Sequence, residues 1–303
     1  MLENKLKEFG IVTTDVYFKD KTSFKIGGKI SYFIEPLKVY DLQELIKYLY
    51  EQQIPYFILG NGTNLLASDE DFNIVVISLK KLKEITICDN QVIIEAGAGS
   101  MYAGLQLISM GYDAPLFLTM IPGTIGGAIY MNASCYGESI KDALIRVDYL
   151  DEKGELNSIT NFEDFSYRFS PFMNNNGIIV KGYFKIDKNP YALEKTKKYF
   201  EYKKLSQPIN ALTAGSIFRN TDQYKAWYLI KELKLDQLSI GGAVVSKKHG
   251  NFLINKKQAS FKDMYSLILE IQKQILLKKD INLELEIKII TPLDFFPHLK
   301  EKI

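Results

Sequence analysis

A chain of 303 residues that is 47% hydrophobic and 24% charged carries enough apolar material for two or three small cores and has the composition of a folded, water-soluble protein. Its 38 basic and 36 acidic side chains leave a net charge of +2 and are spread along the sequence, which excludes a large single-sign field for indiscriminate nucleic-acid capture. With only Cys88 and Cys135, His249 and His298, and no close Cys/His grouping, the composition argues against a disulfide framework and predicts no metal site. The first residues, Met1-Leu2-Glu3-Asn4-Lys5, hold no apolar leader, so a cytoplasmic protein is expected. No window reaches the roughly 18 uninterrupted apolar residues of a membrane span. The nearest, Ile121 to Ala133, is punctuated by Gly, Pro, Thr and Asn, so integral membrane association is not expected, while peripheral contact stays open.

In chain order, Ser31 to Ile34 predicts a strand, and Leu42 to Tyr50 an amphipathic helix opened by Asp41, with Glu44 at capping-box spacing. Tyr56 to Leu59 predicts a strand that enters Gly60-Asn-Gly-Thr-Asn64, and Ile74 to Ile77 a buried strand. From Ile85 the pattern changes to extended runs around Val92 to Glu95, Ile145 to Leu150, Leu156 to Ile159 and Ile178 to Ile186, broken by turns such as Glu152-Lys-Gly154. Asn189-Pro190 opens a Lys- and Tyr-rich helical stretch to about Lys204 that ends by Pro208. Helical stretches then follow at Asp222 to Leu233 and Ser260 to Lys279. Leu283 to Ile289 alternates as a strand does, with Glu284, Glu286 and Lys288 on its polar face. These shifts divide the chain at 1–78, 79–188, 189–291 and a tail 292–303. There is no internal repeat or low-complexity tract.

Three segments are unusually rich in glycine. Leu59 to Leu66 places Gly60 and Gly62 around Asn61, a geometry that serves either as an anion nest suited to a diphosphate or as a plain turn. It is not a Rossmann fingerprint, because Leu65 stands where the third glycine belongs, and no Gly-Lys-Ser/Thr ending marks a nucleoside-triphosphate loop. Met120 to Ala133 crowds Pro122, Gly123, Gly126 and Gly127 into an apolar stretch that either brings backbone close to a flat ligand or packs a helix tightly. Thr22 to Gly28 adds a third such turn. Their position in successive units points to a nucleotide cofactor.

Taken in order, Thr22 to Gly28, Gly60 to Leu65, Ile121 to Gly127, Tyr167-Arg-Phe-Ser170, Ala214-Gly-Ser-Ile-Phe218, Ile240-Gly-Gly242, Ser246 to Asn251 and Leu283-Glu-Leu-Glu286 resemble the segments of the bacterial UDP-N-acetylenolpyruvoylglucosamine reductases. The resemblance runs from Thr22 almost to the C-terminus. It implies an α+β protein with the FAD-binding fold of the vanillyl-alcohol-oxidase type: two α/β subdomains, 1–78 and 79–188, and a C-terminal α+β substrate domain, 189–291, with the tail returning to the FAD-binding part. It implies noncovalent FAD held by Gly60, Asn61, Gly62, Thr63, Asn64, Leu65, Pro122, Gly123, Thr124, Gly126, Gly127 and Ala128. It also implies the shorter of the family's two types, because Phe218 runs quickly toward the Asp222 helix. Thr221, Gly250 and Met120 stand where the family usually has Pro, Ala and Gly, departures that bear on substrate positioning rather than on the reaction.

The implied reaction gives a hydride from NADPH to FAD and then from reduced flavin to the enolpyruvyl double bond of a UDP-sugar, forming UDP-N-acetylmuramate. Such a transition state needs positive charge beside the substrate carboxylate and a proton for the neighbouring carbon. Arg168 matches the family's arginine, a permanently charged planar fork suited to a carboxylate. Ser216 matches its proton donor. Glu286 matches its functional carboxylate, although alternation alone does not separate Glu286 from Glu284. Lys247, His249 and Asn251 offer donors for the UDP diphosphate and sugar, and Tyr130 and Asn132 either line the flavin or belong to the core. A monomer or weak oligomer is expected. Two other readings stand beside this one: a flavin oxidase of the same fold acting on another substrate, and a non-enzymatic flavin- or nucleotide-sugar-binding regulator.

Overall fold

The computed structural model describes residues 2–113, 116–175 and 177–296, so His298 and the end of the tail lie outside the described residues. The chain packs into two compact units, each discontinuous. The first comprises Met1–Thr14, Tyr32–Asn61 and Ile74–Glu201; the second comprises Asp15–Ser31, Gly62–Asn73 and Tyr202–Ile303. The divisions at 78, 188 and 291 follow chain order, whereas these units interleave along it.

The first unit holds parts of a sheet in which Ile11–Thr13 runs antiparallel to the strand Lys29–Glu35, and Tyr56–Leu59 runs parallel to Phe72–Ser78. The parallel pair needs a crossover, and the helix Val39–Glu51 lies on the connecting chain. That helix begins before Asp41. Asp41 is its third residue, and its carboxylate accepts the Lys38 backbone N–H at 3.0 Å, satisfying a donor that the first turn leaves without a partner. Leu42, Leu45, Ile46 and Leu49 recur at helical spacing and are buried, each worth about 1.5–3 kcal/mol relative to exposure.

A second sheet of the same unit is antiparallel throughout, in the order Leu156–Ile159, Leu144–Leu150, Ile178–Lys185, Gln91–Glu95, Ile85–Cys88. The short helix Ile125–Tyr130 lies on its central strands. Gly182 makes room for the helix, since a Cβ there would stand 2.8 Å from Ile129 Cδ1. Gly126 does the same from the helix side, 2.9 Å from Ala96 Cβ.

In the second unit a three-stranded antiparallel sheet, Ser239–Ile240, Ala243–Val245 and Leu253–Asn255, packs with the helices Ala226–Glu232 and Phe261–Lys279. The helix expected from Asp222 starts at Ala226, because Asn220 Oδ1 accepts the Ala226 N–H at 3.0 Å and sets the first turn. Ser260 caps the long helix by accepting from Asp263 N–H at 3.1 Å. Phe24 and Ile26 enter this core. Buried Asn255 fixes them there, donating to Phe24 O at 2.8 Å and accepting from Ala259 N–H at 2.7 Å. At Gly28 an added Cβ would collide with the carbonyl oxygen of Glu70, a backbone atom that has no rotamer to change. Gly28→Ala should therefore destabilise the protein by about 1–3 kcal/mol, read as a lower urea midpoint; an unchanged midpoint would mean the Glu70 turn yields freely.

The run Leu283 to Ile289 is not one strand. Its first half bridges to Ile217–Arg219, with Arg219 N–H donating to Glu284 O (2.8 Å) and Glu286 N–H donating to Ile217 O (2.8 Å). Its second half, Lys288–Ile290, runs parallel to Leu65–Ala67. The backbone changes partners at Glu286, which breaks the alternation expected of a single strand. Beyond it, the ring of Phe295 stands edge-on to Phe72 at 6.2 Å.

Candidate active site

In the first unit the two main glycine-rich segments meet at Thr124. Thr124 is buried, caps the helix Ile125–Tyr130 by accepting the Gly127 N–H at 3.3 Å, and pairs as an isolated bridge with Gly99. A Cβ added at Gly60 would stand 2.9 Å from Thr124 Oγ1, and one at Gly127 would stand 3.4 Å from the same atom; at Gly99 it would touch only Tyr102 Cβ, at 3.7 Å. These three glycines face side-chain atoms or open space and not backbone, so they leave a cradle of bare main chain around one hydroxyl. Such a cradle suits a flat or phosphate-bearing cofactor. Gly126 has a different reason to be glycine, its contact with Ala96. Ala128 belongs to the core at 4% exposure, Pro122 is exposed, and the Gly123 carbonyl accepts from Ser100 N–H.

Asn61 ends the first unit's part of the loop, and Gly62, Thr63, Asn64 and Leu65 belong to the second unit. Gly62 adopts φ 61°, a left-handed conformation that favours glycine, and its carbonyl accepts from Ser23 N–H at 3.0 Å. Asn64 donates its amide to the carbonyl of Glu286 (3.1 Å), while its own carbonyl accepts from Lys288 N–H (3.0 Å).

Ser216 lies close by in the bonding pattern. It pairs with Phe252 as an isolated bridge, and the next residue, Ile217, donates to Asn251 O at 2.9 Å and accepts from Glu286 N–H. Gly215 holds φ 82° and a Cβ there would meet nothing within 4 Å, so the chain before Ser216 borders open space. Geometry now separates the two glutamates. Glu284 is exposed and pairs with Arg219 at 3.4 Å, whereas Glu286 is half-buried beside the Ser216 segment. The second unit thus links the segments of Ser216, Glu286 and Asn64 through a main-chain bond from Glu286 to Ile217 and a side-chain bond from Asn64 to Glu286.

Arg168 lies in the first unit, at the third position of the tight turn Ser166 to Phe169, with φ 54°. Its guanidinium Nη1 donates to Ser134 Oγ at 2.7 Å, and its Cζ stands 5.0 Å from the centre of the Tyr167 ring. Asn132 does not serve the core passively. Buried at 2% exposure, it donates to Ser166 O at 2.7 Å and accepts from Lys141 N–H at 3.3 Å, fixing the turn that carries Arg168.

The three residues expected to touch substrate differ. Asn251 is 1% exposed; its Oδ1 accepts from Phe218 N–H (2.9 Å) and its Nδ2 donates to Phe218 O (2.8 Å), as a strand neighbour would. A buried amide so engaged holds the Ser216 segment through both main-chain groups of Phe218. Lys247 is exposed and lines a shallow cleft of about 370 Å³ with Lys256 and the in-register row Ser239, Val244 and Ile254; neither Ser216 nor Glu286 lines it. Gly250 fits close to the helix Ala226–Glu232, where a Cβ would stand 3.1 Å from Trp227 O.

His249 is half-buried, with Phe252 edge-on at 4.7 Å, and its Nδ1 accepts the Asn251 N–H at 3.3 Å. Burial pushes its pKa below the ordinary 6.5. The unfolded chain then takes up a proton that the folded chain resists, so His249 leaves stability intact above about pH 6.5 and withdraws it as pH falls below that value. Urea midpoints at pH 7.5 and 5.5 should differ more for the native chain than for His249→Phe; equal differences would contradict this.

Among the described residues no three His, Cys, Asp or Glu side chains gather as a metal site, and no helix is long and apolar enough to cross a membrane. Residues 30–160 match the FAD-binding domain family. With the glycine cradle at Thr124 and the antiparallel sheet beneath it, this defines an FAD-dependent oxidoreductase with the vanillyl-alcohol-oxidase type of fold. Residues 207–290 match the C-terminal domain of UDP-N-acetylenolpyruvoylglucosamine reductase. The chain is 39% identical over 301 residues to the UDP-N-acetylenolpyruvoylglucosamine reductase of Caldanaerobacter subterraneus, covering 96% of this chain and 98% of that one. It is 37% identical to that of Protochlamydia amoebophila, over 91% and 93% of the two chains. The crystal structure of the Thermus caldophilus enzyme superposes with a TM-score of 0.79 at 27% identity, covering 92% of this chain and 99% of that one. The chain belongs to the UDP-N-acetylenolpyruvoylglucosamine reductase family.

Proposed function

We propose that the protein reduces UDP-N-acetylenolpyruvoylglucosamine to UDP-N-acetylmuramate with NADPH, in the cytoplasm, as a monomer or weak oligomer. When bound, FAD would supply hydride transfer from the nicotinamide to the enolpyruvyl double bond. Gly60, Thr124 and Gly127 would hold it along their bare main chain, together with Asn61 and the Gly62 to Leu65 stretch.

One observation carries the reading: Glu286 N–H bonds the carbonyl of Ile217, the neighbour of Ser216, while Asn64 of the cofactor loop bonds the carbonyl of Glu286. The segments that carry Ser216 and Glu286 and the loop that carries Asn64 are thereby tied to one another, which supports the reading. In this reading Ser216 delivers the proton to the substrate carbon, a role supported by the open space at the neighbouring Gly215. Arg168 holds the substrate carboxylate and supplies the positive charge that the transition state needs, and Glu286 is the functional carboxylate of the set.

The test is an absorbance spectrum of the purified protein during anaerobic addition of NADPH and then of UDP-N-acetylenolpyruvoylglucosamine. Yellow flavin should bleach with NADPH and recover with the sugar nucleotide. Flavin that bleaches and stays reduced would assign another oxidant to this fold, and a protein that takes up no FAD would defeat the proposal.

A further inference from the structure

The turn that presents Arg168 is anchored at several points in the first unit. Asn132 donates to Ser166 O (2.7 Å), Lys141 Nζ donates to Phe165 O (2.7 Å) and Ser170 Oγ donates to Tyr130 O (2.6 Å). These bonds fix the main chain, including the left-handed φ of 54° at Arg168, a conformation an arginine rarely adopts. They do not fix the guanidinium, which stands at the end of a long side chain with many rotamers. Ser134 contributes a constraint from the side, beside the Tyr167 ring that stands 5.0 Å from the guanidinium carbon. Ser134 accepts from Arg168 Nη1 through its hydroxyl at 2.7 Å and through its carbonyl at 3.3 Å. Ser134 is itself mounted rigidly, in the two-residue strand Ser134–Cys135 that pairs antiparallel with Glu138–Ser139, and the adjoining Ala133 carbonyl accepts from Ile140 N–H at 2.9 Å.

We propose that Ser134 is a positioning residue whose hydroxyl aims the Arg168 guanidinium at the carboxylate of its substrate. The inference rests on the reading that Arg168 acts on that carboxylate. A planar fork recognises a carboxylate only when its plane and its donors are oriented beforehand, and one short hydroxyl bond to Nη1 from a hairpin-borne side chain restricts both. Without the hydroxyl, the short bond is lost and Ser134 keeps the longer contact through its carbonyl.

The experiment uses the full-length, FAD-loaded protein in anaerobic stopped-flow, comparing Ser134→Ala, Ser134→Thr and Arg168→Ala with the native chain. Flavin reduction by NADPH and flavin reoxidation by UDP-N-acetylenolpyruvoylglucosamine are measured separately. Ser134→Ala should slow reoxidation at saturating substrate roughly 10- to 100-fold while FAD content, thermal midpoint and NADPH-driven reduction stay native. Ser134→Thr, which keeps the hydroxyl, should restore the native rate. If Ser134→Ala reoxidises normally while Arg168→Ala is crippled, the inference fails and the role of Arg168 stands. Equal slowing in Ser134→Ala and Ser134→Thr, or slowing of both half-reactions, would also overturn it by showing a structural role. If Arg168→Ala itself reoxidises normally, the reading beneath the inference fails.

Discussion

Ser216→Ala should bind FAD and accept reducing equivalents from NADPH at native rates, yet reoxidise with UDP-N-acetylenolpyruvoylglucosamine some 10² to 10⁴ times more slowly, the usual worth of a positioned proton donor. The separation of the two half-reactions follows from geometry. The Ser216 main chain is set by its bridge to Phe252 and by the bonds of Ile217 to Asn251 and Glu286, none of which involves the Ser216 hydroxyl. Removing the hydroxyl therefore leaves the segment in place and deletes only the proposed proton donor. Native-rate reoxidation of the variant, followed by stopped-flow absorbance, would require a different donor.

Asn251→Ala should act on stability first. The Asn251 side chain is the hydrogen-bonding partner of both the Phe218 N–H and the Phe218 carbonyl, and residue 251 is 1% exposed, so no water replaces it at once. Leaving two buried main-chain groups without partners costs about 2–4 kcal/mol, which a urea titration resolves easily. Asn251→Asp should be no better, because a carboxylate would face the Phe218 carbonyl with no proton to offer. Unchanged urea midpoints for both variants would show that the segment around Ser216 is held by other bonds.

What was legible in the sequence was whatever depends on near neighbours. The apolar runs at Tyr56–Leu59, Leu144–Leu150 and Ile178–Lys185 form strands because their alternation or β-branched content suits a pleated surface, and Ser260 caps the helix Phe261–Lys279 as its hydroxyl chemistry dictates. Asp41 misled by three residues because a carboxylate serves a helix start equally from inside the first turn. Leu283 to Ile289 misled because its partners, Ile217–Arg219 and Leu65–Ala67, lie far away in sequence and lie in different directions. The same limit applies to the site. Resemblance marked Arg168, Ser216 and Glu286, but an Asn or Ser gives no sign in sequence of whether it reaches outward or inward, as the Asn251 amide does to Phe218. Ser134 carried no signal beyond its small polar side chain, and Asn132 pointed only to the flavin or the core, since the importance of both lies in which distant groups they meet.

The change of partners at Glu286 also orders events during synthesis. The edge formed by Leu65–Ala67 is made early on the ribosome, yet its parallel partner is Lys288–Ile290, more than two hundred residues later. Asp15–Ser31 and Gly62–Asn73 must therefore wait, with Phe24, Ile26 and Leu66 unburied, until the last helix and the strand behind it have emerged. A ribosome-stalled chain ending before Lys288 should present those segments to proteases and chaperones, and the second core should close only once translation has passed Ile290.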